Sequence, residues 1–299
     1  MKKILVIAGG TGFIGSHIIN ACKDIYTIRI LSRSHTHKIN GCETFLWHPE
    51  TETYDSRAFE GAHCIINLSG ENISHKRWTH TQKNNILMSR IQSLQTLYKA
   101  TQETSNSINH IISSSATGIY GHKKSHAIYT EQSPTGDDFL SHVCIEWEKY
   151  ARRFNNIGVH STIIRTGVVL DAHNGAFPHM IQTLPLKMLA IPGNGKQYVP
   201  WIHITDITNM YIYCLHNNLY GTFNAVADDS TQYCDIIQSI KKIKNFFSFT
   251  IPSFFLSVIL GEMHIIITKG NKISNSKIIS HGYTFTYSSI SKTIKNLLT

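Results

Sequence analysis

The chain has 299 residues, 41% hydrophobic and 16% charged, with 7 prolines and no low-complexity tract or repeat period. This is the composition of a globular protein large enough for about two domains, and it excludes mini-proteins, repeat arrays and disordered chains. The net charge of +9 comes from 28 Lys and Arg against 19 Asp and Glu; it can draw in phosphates or acidic metabolites, but the basic residues form no aromatic-interleaved stripe, so no nucleic-acid partner is expected.

The first predicted element is a buried strand, the unbroken apolar run Ile4 to Ala8. It breaks into Gly9, Gly10, Gly12 and Gly15 as a helix begins at Phe13 and runs to Cys22. Strand, glycine turn and helix N-terminus together make a pyrophosphate cradle. Gly9 and Gly10 allow the tight turn, Gly12 lets the backbone approach the ligand, and Gly15 lets the helix lie against the strand. The competing reading is a tight turn without a ligand. A second strand, Tyr26 to Leu31, ends at Ser32 and Arg33, with His35 and His37 behind. An acid at this strand end would grip a ribose 2′-hydroxyl, whereas Ser32 and Arg33 point to a 2′-phosphate and hence to NADP rather than NAD, against the alternative of a solvated arginine. A third strand near Glu43 to Leu46 leads to a turn at Trp47 expected to border the adenine.

The strand Cys64 to Leu68 runs into Ser69, Gly70, Glu71 and Asn72, and Arg77 to Thr101 has helical spacing, with Arg90 flanking its apolar face. An arginine there needs a partner or a polar cleft. His110 to Ser114 is a fifth strand, ending in three serines, Ser113 to Ser115, at the crevice where open α/β sheets bind ligands. A crossover helix, Asp138 to Phe154, and a strand, Val159 to Leu170, interrupted by Arg165 and Gly167, follow. Asn174 to Ala190 reads as a helix broken by Pro178 and Pro185, Tyr198 to Ile204 as a short strand, Asp206 to His216 as a helix and Thr222 to Val226 as a strand. Phe246 to Ile267 is interrupted by Pro252, Glu262 and His264, so it fails as a membrane span and reads as a buried helix.

The fold class is therefore α/β, a Rossmann-type doubly wound parallel sheet with a small C-terminal α+β substrate lobe. The expected division is a nucleotide-binding domain over 1–170, with 205–227 returning to it, and a substrate-side lobe over 171–204 and 228–299. Cys22, Cys42, Cys64, Cys144, Cys214 and Cys234 show no CxxC spacing and read as reduced core residues. With Met1 opening directly onto a strand, the chain is expected to be cytoplasmic, without a membrane partner. The histidines contain no HExxH pattern, and no metal is expected; the Gly-x-Ser-x-Gly elbow of a serine hydrolase is also missing.

The segments GGTGFIGS at 9–16, SSSATGIYG at 113–121 and WIHITD at 201–206 together resemble the extended short-chain dehydrogenase/reductase superfamily, the nucleotide-sugar epimerase and dehydratase group. A closer resemblance is to the atypical YfcH-like "epimerase family" proteins with their C-terminal domain of unknown function. It rests on Asn67 to Ile73, the Trp78 to Arg90 helix, Asp138 to Leu140 with Trp147 and Glu148, Gly193 to Asp206, and Leu260 to Met263. This likeness implies a cofactor set of Gly9, Gly12, Phe13, Ile14, Gly15, Ser32, Arg33, Trp47, Leu68, Ser69, Gly70 and Ser113. It implies substrate contacts from Glu71, Thr117, Gln197, Trp201 and His203, with Trp201 open to a core role instead. A homodimer through the two crossover helices is a further possibility of the group.

In ordinary members of that superfamily a Ser or Thr binds the reacting oxygen, a Tyr transfers the proton, and a Lys four residues on lowers the Tyr pKa. Ser115 matches the first; in the register set by Glu148 the Tyr position holds Leu140 and the Lys position Cys144. A neutral thiol supplies no positive charge. The YfcH-like group shares the Cys and carries Arg, here Arg90, where ordinary members have Asn. Two readings follow. Arg90 supplies the fixed cation while Ser115, Tyr120 or Glu131 handles the proton, making an NADP-dependent oxidoreductase or epimerase on a small carbonyl or hydroxyl compound, a nucleoside-diphosphate sugar among them. Alternatively the site is silent, and the chain is an NADP-binding sensor. The arginine that clamps a diphosphate in sugar-nucleotide enzymes is replaced by Val199.

Overall fold

The computed structural model describes residues 2–34, 38–104, 107–122, 127–227 and 230–299. His35, His37 and Asp228, the expected first residue of the last lobe segment, lie outside the described residues. The strands of the first half are β1 (Ile4–Ala8), β2 (Thr27–Ser32), β3 (Lys38–Ile39), β4 (Cys42–His48), β5 (Thr53–Tyr54), β6 (Ala62–Asn67) and β7 (His110–Ala116). Those of the second half are β8 (Ile128–Tyr129), β9 (His160–Thr166), β10 (Val168–Leu170), β11 (Met188–Pro192), β12 (Trp201–His203), β13 (Gly221–Ala225), β14 (Phe247–Ile251) and β15 (Lys272–Ile273). The helices are α1 (Phe13–Cys22), α2 (His80–Glu103), α3 (Phe139–Arg152), α4 (Phe177–Ile181), α5 (Ile204–His216), α6 (Tyr233–Lys241), α7 (Ser253–Leu260), α8 (Ile265–Thr268), α9 (Ser276–Ser280) and α10 (Ile290–Leu298).

The main sheet runs β13-β9-β7-β6-β1-β2-β4 with every one of these neighbours parallel, and β3 pairs antiparallel at the β4 edge. The order reverses at β1, between β6 and β2, which puts the crevice for a dinucleotide at the carboxyl ends of these strands. Successive side chains of β1 feed opposite cores: Leu5 and Ile7 pack under α1 and α5, and Val6 and Ala8 under α2 and α3. A strand covered on both faces has no polar side to offer, hence the uninterrupted apolar run.

Outside this sheet, β10 pairs with β12 and β11 with β14, around a third core containing Leu170, Phe177, Trp201 and Ile236. Gly167 separates β9 from β10 because a Cβ there would lie 2.1 Å from the Pro200 carbonyl oxygen. Two expected helices need correction. Asn174 to Ala190 holds only the short α4, and its end is strand β11, drawn out by parallel pairing with β14. Phe246 to Ile267 is not a buried helix: it is β14, α7, a 3₁₀ turn and α8, and in α7 only Leu256 is buried. Among the described residues no helix is long and apolar enough to cross a membrane.

Candidate functional site

The glycine turn after β1 is forced by contact. Gly9 has a φ of +77°, and a Cβ on it would lie 2.9 Å from the Leu68 carbonyl carbon at the end of β6. A Cβ on Gly15 would sit 2.4 Å from the Gly9 carbonyl oxygen, so only glycine lets α1 lie this close to the turn. Gly12 is the N-cap of α1; no side chain caps this helix and no acid occupies its first turn, leaving the N–H groups around Phe13, Ile14 and Gly15 to an external acceptor. That cradle fits a pyrophosphate.

Ser32 closes β2, its Oγ accepting the Ser34 N–H at 3.2 Å. Arg33 is exposed and makes no ion pair among the described residues. Trp47 departs from expectation: it belongs to β4, opposite Tyr54, and packs in the core with Leu31 and Phe59, the turn coming afterwards at Pro49–Thr51. At the end of β6, Asn67 Oδ1 accepts both the Ser69 N–H (3.2 Å) and the Ser93 hydroxyl (3.0 Å), fixing the Leu68–Gly70 loop against Gly9.

Beneath that loop lies Arg90 of α2, only 9% exposed. Its Nη1 donates to the carbonyls of Glu71 (3.1 Å) and Ile86 (2.8 Å), and its guanidinium lies 4.7 Å over the Trp147 ring. A Cβ on Gly70 would come within 2.9 Å of the guanidinium carbon, so the exposed glycine is what leaves it room. Nε is buried without a partner, and no carboxylate pairs with this cation among the described residues. Burial pulls its pKa down from the usual arginine range, with the neighbouring Cys144 and Glu71 acting in the opposite sense.

The three serines diverge. Ser113 is fully buried, its hydroxyl donating to the Ser114 carbonyl, and Ser114 Oγ bonds the Tyr211 hydroxyl at 2.6 Å. Ser115 donates to Glu148 Oε1 at 2.8 Å. That contact opens a network that sequence reasoning did not assemble. Arg165, the register partner of Ser115 on β9, grips Glu148 through Nε–Oε1 at 2.7 Å and Nη2–Oε2 at 3.0 Å, while Arg152 adds a 2.7 Å contact. Burial alone would push the Glu148 carboxyl up; the hydrogen bonds and charge of Arg165, with Arg152 and Ser115, overcome it and hold the pKa below the usual carboxylate range.

The Tyr120 hydroxyl joins the same network, accepting from Arg165 Nη1 at 2.9 Å and donating to Asn224 Oδ1 at 2.6 Å. It is 1% exposed, and burial raises its pKa further, against Arg165. The hydroxyl offered for proton transfer in the first reading is thus committed inside this network. Cys144 packs against Ile119 and Tyr120, and burial pushes its thiol up to about 12 even though Arg90 opposes the shift. The Asn224 backbone N–H donates to Glu131 Oε1 at 2.8 Å, and its Nδ2 donates to the Ser274 carbonyl at 2.9 Å.

Of the expected substrate contacts, Glu71 is anchored through its N–H to Ser89 Oγ (2.9 Å), and half-buried Thr117 opens the 3₁₀ turn that ends at Tyr120. Gln197 Nε2 donates to the carbonyls of Pro192 and Ile267 and braces the lobe. Trp201 resolves to core, 1% exposed with its Nε1 donating to Thr231 Oγ1 at 2.8 Å. His203 caps α5, its Nδ1 accepting the Thr205 N–H, and stacks on Tyr287 at 3.8 Å. Burial lowers its pKa, against the influence of Asp206.

Comparison with known proteins matches residues 5–225 to the NAD dependent epimerase/dehydratase family and residues 251–297 to a domain of unknown function, DUF1731. Epimerase family protein YfhF of Bacillus subtilis is 34% identical over 309 residues, covering 98% of this chain and 97% of its own. Epimerase family protein SAR0825 of Staphylococcus aureus is 29% identical over 100% of this chain and 99% of its own. Among solved structures, human epimerase family protein SDR39U1 with NADPH superposes with a TM-score of 0.88 at 26% identity, covering 98% of both chains. UDP-glucuronic acid 4-epimerase of Bacillus cereus, in complex with UDP-glucuronic acid and NAD, shares the fold, with a TM-score of 0.79 at 17% identity over 98% of this chain and 96% of its own.

Proposed function

The chain belongs to the NAD dependent epimerase/dehydratase family, and from that premise we propose that it is an NADP(H)-dependent oxidoreductase or epimerase acting on a small carbonyl or hydroxyl compound. Gly9, Gly12 and the first-turn N–H groups from Phe13 to Gly15 hold the pyrophosphate, and Ser32 with the exposed Arg33 reads the 2′-phosphate. The NADPH in the human relative's crystal structure supports this choice of cofactor. When bound, the nicotinamide supplies or accepts a hydride.

The observation that carries the reading is Arg90, a buried guanidinium with no carboxylate partner among the described residues, under the loop that closes β6. Such a charge is costly unless something anionic completes it. In this reading it stabilises the negative charge that develops on a reacting oxygen, supplying a fixed cation to a site whose lysine position holds Cys144. Ser115 donates its hydroxyl hydrogen to Glu148 Oε1, which leaves its oxygen as the acceptor for a substrate hydroxyl in this reading. A nucleoside-diphosphate sugar is disfavoured, because Val199 is buried and the chain carries no arginine after Arg165 to clamp a diphosphate.

One observation favours a second reading, a dinucleotide-binding sensor without turnover. The Tyr120 hydroxyl is committed to Arg165 and Asn224, and the Cys144 thiol is held near 12, so neither exchanges a proton near neutral pH. Fluorescence titration with NADPH and NADH, followed by NADPH-consumption assays against aldehydes, ketones and quinones, separates the two. Tighter NADPH than NADH binding that Arg33→Ala abolishes, with consumption that Arg90→Gln abolishes, supports the enzyme. Binding without consumption supports the sensor. Failure to bind either nucleotide overturns both.

A further inference from the structure

The C-terminal lobe joins an unpartnered apolar helix face to an unopposed positive charge, and we infer that this face docks on an anionic lipid bilayer surface. In α7, Phe254, Phe255, Val258 and Ile259 are 58–71% exposed, with only Leu256 turned inward. Their spacing of i, i+1, i+4 and i+5 sets them on one side of the helix. Phe247 and Met188, register partners at the start of β14 and β11, add exposed apolar surface to the same lobe. Scattered exposed apolar residues need no explanation; four on one short helix do.

Charge decides which occupant fits. From residue 241 to 299 the sequence has 8 lysines and one acid, Glu262, a balance of +7 out of the chain's +9. Glu262 is itself neutralised by an ion pair with Lys83. None of those lysines forms an ion pair among the described residues; Lys241 instead lies 5.7 Å over the Phe246 ring. A second copy docked on this lobe would bring the net positive charge of residues 241–299 against its own like, which argues against a second copy as the occupant. An anionic bilayer supplies an apolar phase for the aromatic and branched side chains and negative headgroups for the lysines. The helix would lie in the interface plane, since at eight residues it is far too short to span.

The test is co-sedimentation of the full-length protein with vesicles of phosphatidylcholine containing phosphatidylglycerol, against pure phosphatidylcholine. Retention only on the anionic vesicles, weakening as salt rises, and at least about tenfold weaker for both Phe254→Ser/Phe255→Ser and Lys241→Glu/Lys242→Glu, is the expected result. These side chains are outside the dinucleotide cradle, so circular dichroism and NADPH titration report whether the variants remain folded. Absence of retention on either vesicle, or retention that the variants leave unchanged, overturns the inference. So does sedimentation equilibrium showing a dimer that Phe254→Ser/Phe255→Ser disperses.

Discussion

Glu148 and Arg165 face each other as a bidentate pair inside the protein, at 2.7 and 3.0 Å, the carboxylate 1% and the guanidinium 6% exposed. The pair joins α3 to the sheet and carries Ser115 on one side and Tyr120 on the other. Removing one partner leaves a buried charge without its complement, which costs about 3–5 kcal/mol. Glu148→Gln should therefore lower stability by that order in urea unfolding, whereas Arg152→Gln, at the half-exposed end of the network, should lower it by less than about 1 kcal/mol.

Arg90 should behave in the opposite way. Its partners are two carbonyls and a ring, so an apolar side chain of similar reach leaves no opposite charge unpaired and removes the desolvation cost of the guanidinium. Arg90→Met is expected to leave the thermal midpoint unchanged or raised while abolishing NADPH consumption. A variant both destabilised and fully active would remove Arg90 from the site.

Gly15→Ala tests the cradle. The added methyl meets backbone at 2.4 Å (Gly9 O) and 2.7 Å (Gly10 Cα), atoms that cannot turn aside like the end of a side chain. Overpacking of this kind costs about 1–3 kcal/mol, and loss of NADPH binding should exceed the loss of stability because the turn itself is displaced. Calorimetry with and without NADPH reads both.

His110 gives a pH dependence with a defined sign. Burial, with the like charge of His160, pulls its pKa from 6.5 to about 4, and its Nε2 lies 2.7 Å from Thr162 Oγ1. Between those values the unfolded chain binds a proton that the folded one refuses, so stability is complete above 6.5 and falls as pH drops toward 4. The loss is on the order of 3 kcal/mol. In urea titrations over this range His110→Gln should show a flatter profile than the parent protein.

The parallel sheet was legible because doubly covered strands such as Ile4–Ala8 carry unbroken apolar runs that end in glycine or polar turns, and β6 keeps such a run over Cys64 to Ile66. Strand β11 was not: its partner β14 begins 59 residues after it, and pairing at that range leaves no local period. Phe246 to Ile267 was misread because apolar content does not say which side of a helix the fold covers. Arg165 announced itself as a charge in an apolar strand, and Glu148 as an acid beside Trp147 on a helix. Two such residues each imply a partner, and pairing them was the signal that went unused. The commitment of Tyr120 depends on Asn224, 104 residues away, and no local pattern carries it.

Strand β13 closes the sheet edge beside β9, and its Asn224 binds both Tyr120 and the Ser274 carbonyl. On the ribosome this imposes a waiting time. A nascent chain that has just completed β9 presents a bare strand edge, covered only once residues 221–225 have emerged. The Tyr120–Arg165–Glu148 interior lacks the Asn224 acceptor for its tyrosine over the same interval, so the glycine turn after β1 is made well before that network is complete.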